Sequence, residues 1–409
     1  MNNNTLIPHL FRTEFSKITS VLLKRFDIGH IEVAEDIVSE TFLLALETWG
    51  YKGIPENPTA WIYAVARNKT KNYIQRQHIL VDKVIPAAGE PHPTEMPIEI
   101  DLSEKNITDS QLHMLFAICH PAISPESQVT LSLRILCGFG VEEIANAFLT
   151  NTETIHKRLF RAKEKLRQEK VKIEFPSVTE INNRLHTVLT TLYLLFNEGY
   201  YSESHDAVVQ KELCEEAMRL TSLLLENELT HLPMVDALYA LMCFQSSRFA
   251  ARKDKNGKVI LFHDQDETQW DKVLISKGAY HLHRASRGSI ISKYHLEASI
   301  AYWHTIKADT KEKWETILQL YNQLLCIEYS PIAALNRTYA LSKANGKQEA
   351  IIEAEKLQLT NNHYYFTLLG ELHKDSDPLK SKVNLQTALT LAKTKADKRI
   401  IHSKIDMLK

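Results

Sequence analysis

The chain has 409 residues, a formal net charge of −1 and 44% hydrophobic residues, values typical of a globular protein with more than one core. With only 12 glycines and 13 prolines, long stretches lack both, which predicts an all-α fold. The five cysteines form no CxxC pair, and neither a signal-peptide pattern nor an apolar run of about 18 residues is present. We therefore expect a cytoplasmic protein without a disulfide framework, a zinc knuckle or a membrane segment.

Composition divides the chain into three helical domains and one linker. The first domain covers residues 1–78. Residues 79–110 are rich in proline and contain more acidic residues than lysines, which predicts an extended acidic linker and not a packed element. The second domain covers residues 111–172. The third begins after a break at Pro176 and covers residues 178–409.

The first domain contains three predicted helices. Apolar residues at helical spacing predict helices over residues 10–26 and 31–48. Glycine and proline predict a loop over residues 51–57, and Asn57 then caps a third helix that has Pro58 at its first position. The second helix is acidic on its predicted solvent side, which by itself predicts only a solvated face. Its acidic residues there are Glu35, Asp36, Glu40 and Glu47.

The third helix interleaves basic and aromatic residues. Cations bind phosphates, and aromatic rings offer faces on which unpaired bases stack. An aromatic-rich helix is more often part of a core, and we expect Trp61, Ala64 and Val65 to pack inward. The residues that favour a nucleic-acid surface are Arg67, Lys71 and Arg76, with Trp61, Tyr63 and Tyr73 between them.

The strongest local pattern in the chain covers residues 141–167. A short helix, preceded by two glycines, is followed by Thr150 and Glu153, which predict a capping box that starts a second helix at Asn151. Four apolar residues of the second helix recur at helical spacing and predict a buried stripe. They are Ile155, Leu159, Ala162 and Leu166.

Two short helices joined by a tight turn, the second one basic outward, describe a DNA-binding helix-turn-helix. The alternative is a solvated basic helix in an unrelated bundle. The predicted cap, the apolar stripe and the basic face all favour the helix-turn-helix instead. We expect base contacts at the N-terminal end of the second helix. The candidate DNA-binding residues are Asn151, Thr152, Thr154, His156, Lys157, Arg158, Arg161 and Lys165.

The third domain is predicted to consist of amphipathic helices. The stripe of its first helix is formed by Ile181, Leu185, Val188, Leu192 and Leu195. Two helical hairpins are predicted near the end, offset by roughly 30 residues, which is close to the tetratricopeptide period. Their helices cover residues 331–344 and 348–357, and residues 363–373 and 380–393.

A polar segment, HDQDETQWD, begins at His263 and could in principle bind a metal ion. Its spacing matches no zinc or calcium loop, and a polar turn that caps a helix beginning near Thr268 is favoured. No nucleophile elbow, phosphate-binding loop or dinucleotide-binding fingerprint is present. We therefore expect neither an enzyme nor a cofactor.

Two segments of the chain resemble extracytoplasmic-function sigma factors. Their region 2 resembles AEDIVSETFLLALE followed by NPTAWIYAVARNKTKNYIQR, and their region 4 resembles GFGVEEIANAFLTNTETIHKRLFRAKEKL. Order, linker and both motifs match over residues 8–172. The resemblance implies two partners. One is core RNA polymerase, bound at the β′ clamp helices and the β flap, and the other is double-stranded promoter DNA.

The resemblance also implies a role for particular residues. Region 4 would bind the −35 element with its second helix, and the acidic linker would thread through polymerase channels. Many relatives carry Asp at the position of Asn72 and Arg at that of Gln77, so the resemblance does not determine which promoter sequence is recognised. Docking on the polymerase would involve Glu35, Asp36, Ser39, Glu40 and Phe42. Binding of the −10 element would involve Asn57, Trp61, Arg67, Asn68, Lys71, Asn72 and Arg76.

The rest of the chain resembles the subgroup of these sigma factors that has a C-terminal tetratricopeptide-like extension. Segments that match include LLFNEGYYSES and PIAALNRTYAL. The resemblance implies that the extension regulates activity, and a protein partner at this domain is a further expectation.

Two other classes of function compete with the sigma-factor hypothesis. One is a helix-turn-helix regulator with a helical sensor domain but no polymerase contact, which would have no use for an acidic docking helix. The other is a tetratricopeptide-like scaffold that binds peptides, which would not need a capped basic helix.

Overall fold

The computed structural model describes residues 3–84, 99–200, 207–252 and 260–408. These residues form eighteen α-helices and no strand, which confirms the prediction of an all-α fold. The chain divides into two compact units, Met1–Thr230 and His231–Lys409.

The first unit is built around its N-terminal helix. Helix α1 packs against α2, α3 and α4, and its Phe15, Ile18 and Leu22 are completely buried. The helices of this unit are α1 (Asn3–Phe26), α2 (Ile31–Lys52), α3 (Pro58–Val84), α4 (Glu104–Ile118), α5 (Pro125–Leu131), α6 (Val141–Ala147), α7 (Thr152–Gln168), α8 (Ile181–Tyr200) and α9 (Ala207–Glu226).

The predicted linker over residues 79–110 is wrong at both ends. Helix α3 continues to Val84, and α4 begins at Glu104 after a cap in which the Ser103 side chain accepts a hydrogen bond from the backbone N–H of Asn106. Ile100 and Leu102, just before that cap, are buried. These two apolar residues anchor the end of the predicted linker to the first unit. The acidic composition of the segment gave no indication of their burial. The central part of the predicted linker, residues 85–98, lies outside the described residues.

The boundary predicted before residue 178 also differs from the structure. Helices α8 and α9 belong to the first unit, where they pack against α4, α5 and α6. The predicted stripe of α8 is confirmed, because all five of its residues are buried. Polar contacts add to this packing: Arg184 donates to the carbonyl oxygen of Phe116 at 2.6 Å, and Thr191 donates to the side chain of Gln128 at 2.7 Å. The composition break at Pro176 is therefore a loop within a folded unit.

The second unit consists of helices that pack mainly on their neighbours in sequence. The two predicted hairpins near the end are confirmed as helix pairs, and Gly346 forms the first turn with a φ of 104° that favours glycine. The helices are α10 (Pro233–Ser246), α11 (Lys272–Ala285), α12 (Lys293–Trp303), α13 (Lys311–Ile327), α14 (Pro331–Ala344), α15 (Lys347–Leu357), α16 (His363–His373), α17 (Pro378–Leu391) and α18 (Lys395–Asp406).

Candidate nucleic-acid interface

Helices α6 and α7 pack against each other and are joined by a tight turn. Leu149 in this turn has a φ of 49°, in the left-handed region, which reverses the chain direction after α6. The backbone N–H of Thr150 donates to the carbonyl oxygen of Ala145 at 2.9 Å and closes the turn. Two helices joined by a tight turn fit the predicted helix-turn-helix.

The cap of α7 differs from the predicted capping box. Asn151 is the N-cap, and its side chain accepts a hydrogen bond from the backbone N–H of Thr154 at 2.8 Å. Thr150 belongs to the turn, and Glu153 instead pairs with Lys157 at 2.6 Å. The left-handed residue in the turn shifts the start of the helix by one residue from the predicted position.

Loss of this cap is expected to destabilise the first unit. Asn151→Ala leaves an N–H group of the first turn without its partner, and we expect the free energy of unfolding to fall by about 1 kcal/mol. Asn151→Ser keeps a side-chain acceptor and should retain most of the stability. Urea unfolding of both variants measures the difference, and equal losses in the two would contradict the cap.

The surface of α7 that points away from the core carries the predicted polar and basic residues, and it also exposes the ring of Phe160. The stripe of Ile155, Leu159, Ala162 and Leu166 is buried. Lys165 pairs with Glu169 at 2.7 Å on the solvent side, a contact that solvent screens strongly. The predicted DNA-binding residues that are exposed are Asn151, Thr152, Thr154, His156, Lys157, Arg161 and Lys165.

Arg158 departs from this pattern because it is only half exposed. Its guanidinium donates to the hydroxyl of Thr130 at 3.3 Å and lies over the ring of Phe148, 5.5 Å from the centroid. In this conformation Arg158 is a packing residue between α5, α6 and α7, and it does not join the exposed basic face.

Helix α3 buries a different face from the one predicted. Ile62, Ala66 and Thr70 are completely buried, whereas Ala64, predicted to pack inward, is exposed. The Asn57 side chain accepts a hydrogen bond from the backbone N–H of Ala60 at 3.0 Å, as its predicted capping role requires.

The buried stripe leaves one outward face of α3 for contacts. The residues of this outward face recur every three to four positions or at multiples of that spacing, so they lie along one side of the helix. Trp61 is half-buried and its ring packs edge-on against Trp49 at 5.4 Å. The members of this face are Trp61, Asn68, Asn72 and Arg76.

Two of the predicted nucleic-acid aromatics are instead anchored to α1. The Tyr63 hydroxyl donates to Glu14 at 2.6 Å, and burial, together with this hydrogen bond, raises the pKa of the phenol well above its usual value. Tyr73 packs edge-on against Phe26 at 5.7 Å. Arg67 donates to the carbonyl oxygen of Ile100 at 3.1 Å, and Lys71 is half exposed. Of the aromatic residues predicted for this surface, Trp61 alone lies on the outward face.

The outer side of α2 combines acidic and apolar residues. Asp36, Ser39 and Glu40 are exposed, and Glu40 pairs with Lys69 of α3 at 2.7 Å. More than half of the Leu43 surface is exposed. An apolar groove of about 350 Å³ lies between α1 and α2, and it is lined by Ile7, Pro8, Phe11, Ser39, Phe42, Leu43 and Leu46.

Two residues predicted for polymerase docking are not accessible. Glu35 is 7% exposed, and its carboxylate accepts hydrogen bonds from Arg134 at 2.7 Å and from Lys163 at 2.5 Å. Phe42 is 3% exposed and packs edge-on against Phe11. The prediction that Glu35 is exposed is wrong because its partners come from residues far along the chain, and no local pattern indicates them.

Comparison with known proteins relates the N-terminal part of the chain to a known family model. Residues 10–78 match the family model of sigma-70 region 2. A probable RNA polymerase sigma factor of Haemophilus influenzae is 20% identical over 153 residues, which cover 35% of this chain and 79% of that protein. Part of the chain, residues 10–78, is therefore similar to sigma-70 region 2.

A second similarity extends over nearly the whole chain. An uncharacterized protein of Rhizobium meliloti is 32% identical over 393 residues, which cover 93% of this chain and 90% of that protein, so the two belong to one family. Residues 184–286 match a family of unknown function, DUF6596. No solved structure matches the chain significantly.

The region 2 match includes most of α1, all of α2 and most of α3, and therefore both the acidic helix and the helix with the Trp61 face. Helices α6 and α7 lie outside the two segments that the family models match. The DUF6596 match begins within α8 and extends through α11.

The polar segment that begins at His263 forms capping turns. Asp266 accepts hydrogen bonds from Thr268, and Asp271 caps α11 through the backbone N–H of Leu274 at 3.0 Å. Helix α11 thus begins at Lys272, a few residues later than predicted. Among the described residues no cluster of metal-ligating side chains is present. In the same parts of the chain, the helices are too short or too polar to cross a bilayer.

Proposed function

We propose that the chain is an alternative sigma factor of the extracytoplasmic-function subgroup. It would bind core RNA polymerase in the cytoplasm through α2 and direct initiation at particular promoters through α3 and α7. The observation that carries the proposal is the region 2 match followed, in the same compact unit, by a helix-turn-helix with a basic outward face.

The outer side of α2 supports polymerase docking. Protein interfaces combine an apolar centre with a charged rim that steers association. The groove beside Leu43 supplies the apolar part, and Asp36 and Glu40, which are exposed on the same helix, supply the acidic part. A basic, partly apolar helical surface of the polymerase would complement it.

The outward faces of α3 and α7 support promoter recognition. Trp61 offers a ring on which an unpaired base stacks, and Asn68 and Asn72 offer donors and acceptors along the same face. The first turn of α7 exposes short polar side chains suited to base edges, followed by Lys157 and Arg161 for phosphates or guanines.

The second unit supports a regulatory role for the extension. Its helical hairpins provide the kind of surface that tetratricopeptide-like domains use to bind other proteins. We infer that this unit adjusts sigma-factor activity, with a protein partner at the hairpins as one way to do so.

A helix-turn-helix regulator without polymerase docking is the second candidate. The burial of Glu35 favours it, because this carboxylate cannot contact a partner in this conformation.

Replacement of Arg161 tests promoter recognition. Arg161→Ala removes an exposed guanidinium from the face of α7, and we expect promoter affinity of the holoenzyme to fall by about 1–3 kcal/mol if a base edge is contacted. The control is Lys172→Ala, beyond the end of α7, which should leave affinity unchanged. Affinity is measured by titration of holoenzyme on promoter DNA at fixed salt. Equal affinity of both variants and the parent would contradict the role of α7.

A further inference from the structure

The two compact units carry opposite net charges. Residues 1–230 contain 23 lysines and arginines and 31 aspartates and glutamates, a formal net charge of −8. Residues 231–409 contain 26 and 19 of these residues, a formal net charge of +7. The net charge of the whole chain, −1, conceals this difference. Such an asymmetry favours contact of the basic part with nucleic acid or another polyanion.

Helix α11 and the turn after it concentrate positive charge in the second unit. No aspartate or glutamate occurs between Asp271, which caps the helix, and Glu297. The same stretch contains five lysines and arginines and three histidines. Its formal charge is therefore +5 even when every histidine is neutral.

The exposed residues of α11 lie along one side of the helix, because they recur every three to four positions. The other side packs against α10, where a Cβ atom at Gly278 would lie 2.7 Å from the ring of Phe244. Val273, 76% exposed, lies near the start of the outward side. We call this side, with the turn after it, the α11 face, and its polar members are Lys272, Lys277, Tyr280, His283, Arg284 and Arg287.

Most cations of the α11 face have no carboxylate partner. Elsewhere in the second unit cations pair with acidic residues of other elements, as Lys343 does with Asp309 at 2.9 Å. Among the residues that the structure describes, no carboxylate lies within ion-pair distance of Lys272, Lys277 or Arg287. Their positive charges are therefore available to an external anion.

Arg284 is oriented from below by a buried carboxylate. Asp236 of α10 is 3% exposed, and its Oδ2 lies 3.7 Å from the Nε of Arg284. The same carboxylate forms hydrogen bonds with His281 at 2.7 Å and with His231 at 3.1 Å. Arg284 also donates to the hydroxyl of Tyr280 at 3.3 Å. One carboxylate thus serves three basic side chains, and further donors of the guanidinium are left for a ligand.

We propose that the α11 face binds the phosphate backbone of double-stranded DNA, independently of base sequence. Lysine and arginine neutralise phosphates, and tyrosine hydroxyls add hydrogen bonds to them. The 14 residues of α11 span about 20 Å, the length of about six base pairs. The cations at its two ends can therefore contact different phosphates of one duplex.

The choice of DNA among polyanions rests on the proposed function, in which α3 and α7 contact promoter DNA. A single strand is bound by several exposed rings on which bases stack, and α11 offers only Tyr280. A membrane surface would take up the apolar side of the helix, which packs against α10. The α11 face then supplies affinity, while selection among promoter sequences stays with α3 and α7.

The salt dependence of DNA binding by the full-length chain, without polymerase, tests the proposal. The probe is a labelled duplex of non-promoter sequence, titrated at several salt concentrations. Lys277→Gln with Arg287→Gln removes two exposed cations from the α11 face. We expect the slope of log affinity against log salt to become shallower by about 2, since each lost phosphate contact lowers it by about 0.9.

Two further variants serve as controls. Lys311→Gln with Lys382→Gln removes the same charge from exposed positions on α13 and α17, and it should keep the slope of the parent. Lys277→Arg with Arg287→Lys retains both charges of the α11 face and should also keep that slope. Thermal unfolding followed by circular dichroism compares the folding of each variant with that of the parent.

The proposal is overturned if the α11 variant keeps the slope of the parent, or if the control on α13 and α17 loses as much. Polyglutamate is titrated in parallel. Loss of polyglutamate binding in the α11 variant, with DNA binding unchanged, would identify an acidic protein as the partner and also overturn the proposal. A chain that starts no specific transcripts with core polymerase, but shows the α11-dependent slope, would remove the proposed function and leave the DNA contact.

Discussion

A fragment that ends at Thr230 is expected to unfold in one cooperative transition, whereas a fragment that ends at Phe175 is expected to lose that transition. Helices α8 and α9 pack on α4, α5 and α6, and Leu185, Leu189 and Leu192 of α8 are completely buried. Each such leucine contributes about 1.5–3 kcal/mol. The sum for three is comparable with the total stability of a domain, about 5–15 kcal/mol.

The two fragments are compared by circular dichroism and urea unfolding at equal concentration. The fragment His231–Lys409 serves as the control, because it forms a compact unit of its own and should also fold. A cooperative transition in the shorter fragment, with the same midpoint as in the longer one, would show that α8 and α9 are dispensable for the core.

Reversal of charge on α2 is expected to weaken polymerase binding at least about tenfold. Asp36→Lys with Glu40→Lys replaces two exposed carboxylates of α2 by ammonium groups. Like charges placed against each other at an interface cost several kcal/mol when they are desolvated, so a tenfold loss, about 1.4 kcal/mol, is a lower bound. The affinity for core polymerase is measured by titration of the labelled protein.

The matched control for this variant has the same change in net charge. Glu226→Lys with Glu228→Lys reverses two exposed carboxylates at the end of α9, away from α2 in sequence and in the fold. We expect this control to bind core polymerase like the parent. Equal affinities for the α2 variant and the control, with both proteins folded, would move the docking surface elsewhere.

Local patterns in the sequence predicted most helices, because periodicity and caps are properties of neighbouring residues. The stripe of α7, the Asn57 cap and the terminal hairpins were all predicted in this way. The cap of α7 was misplaced by one residue, since the left-handed conformation of Leu149 has no sequence signal of the kind that a glycine gives.

The contacts that matter most for the candidate site could not be predicted from the sequence. Glu35 has the charge and neighbours of an exposed residue, and only the approach of Arg134 and Lys163 buries it. Likewise, a helix after a proline-containing break looks like the start of a new domain, and only the packing of α8 on α4 and α5 places it in the first unit. Both depend on long-range packing.

Initiation by purified components tests the sigma-factor assignment most directly. Core RNA polymerase is combined with the full-length chain, and transcripts from genomic DNA are mapped at their 5′ ends. We predict discrete start sites that require the added chain and that are weakened by Asp36→Lys with Glu40→Lys. Start sites identical to those of core enzyme alone would contradict the assignment.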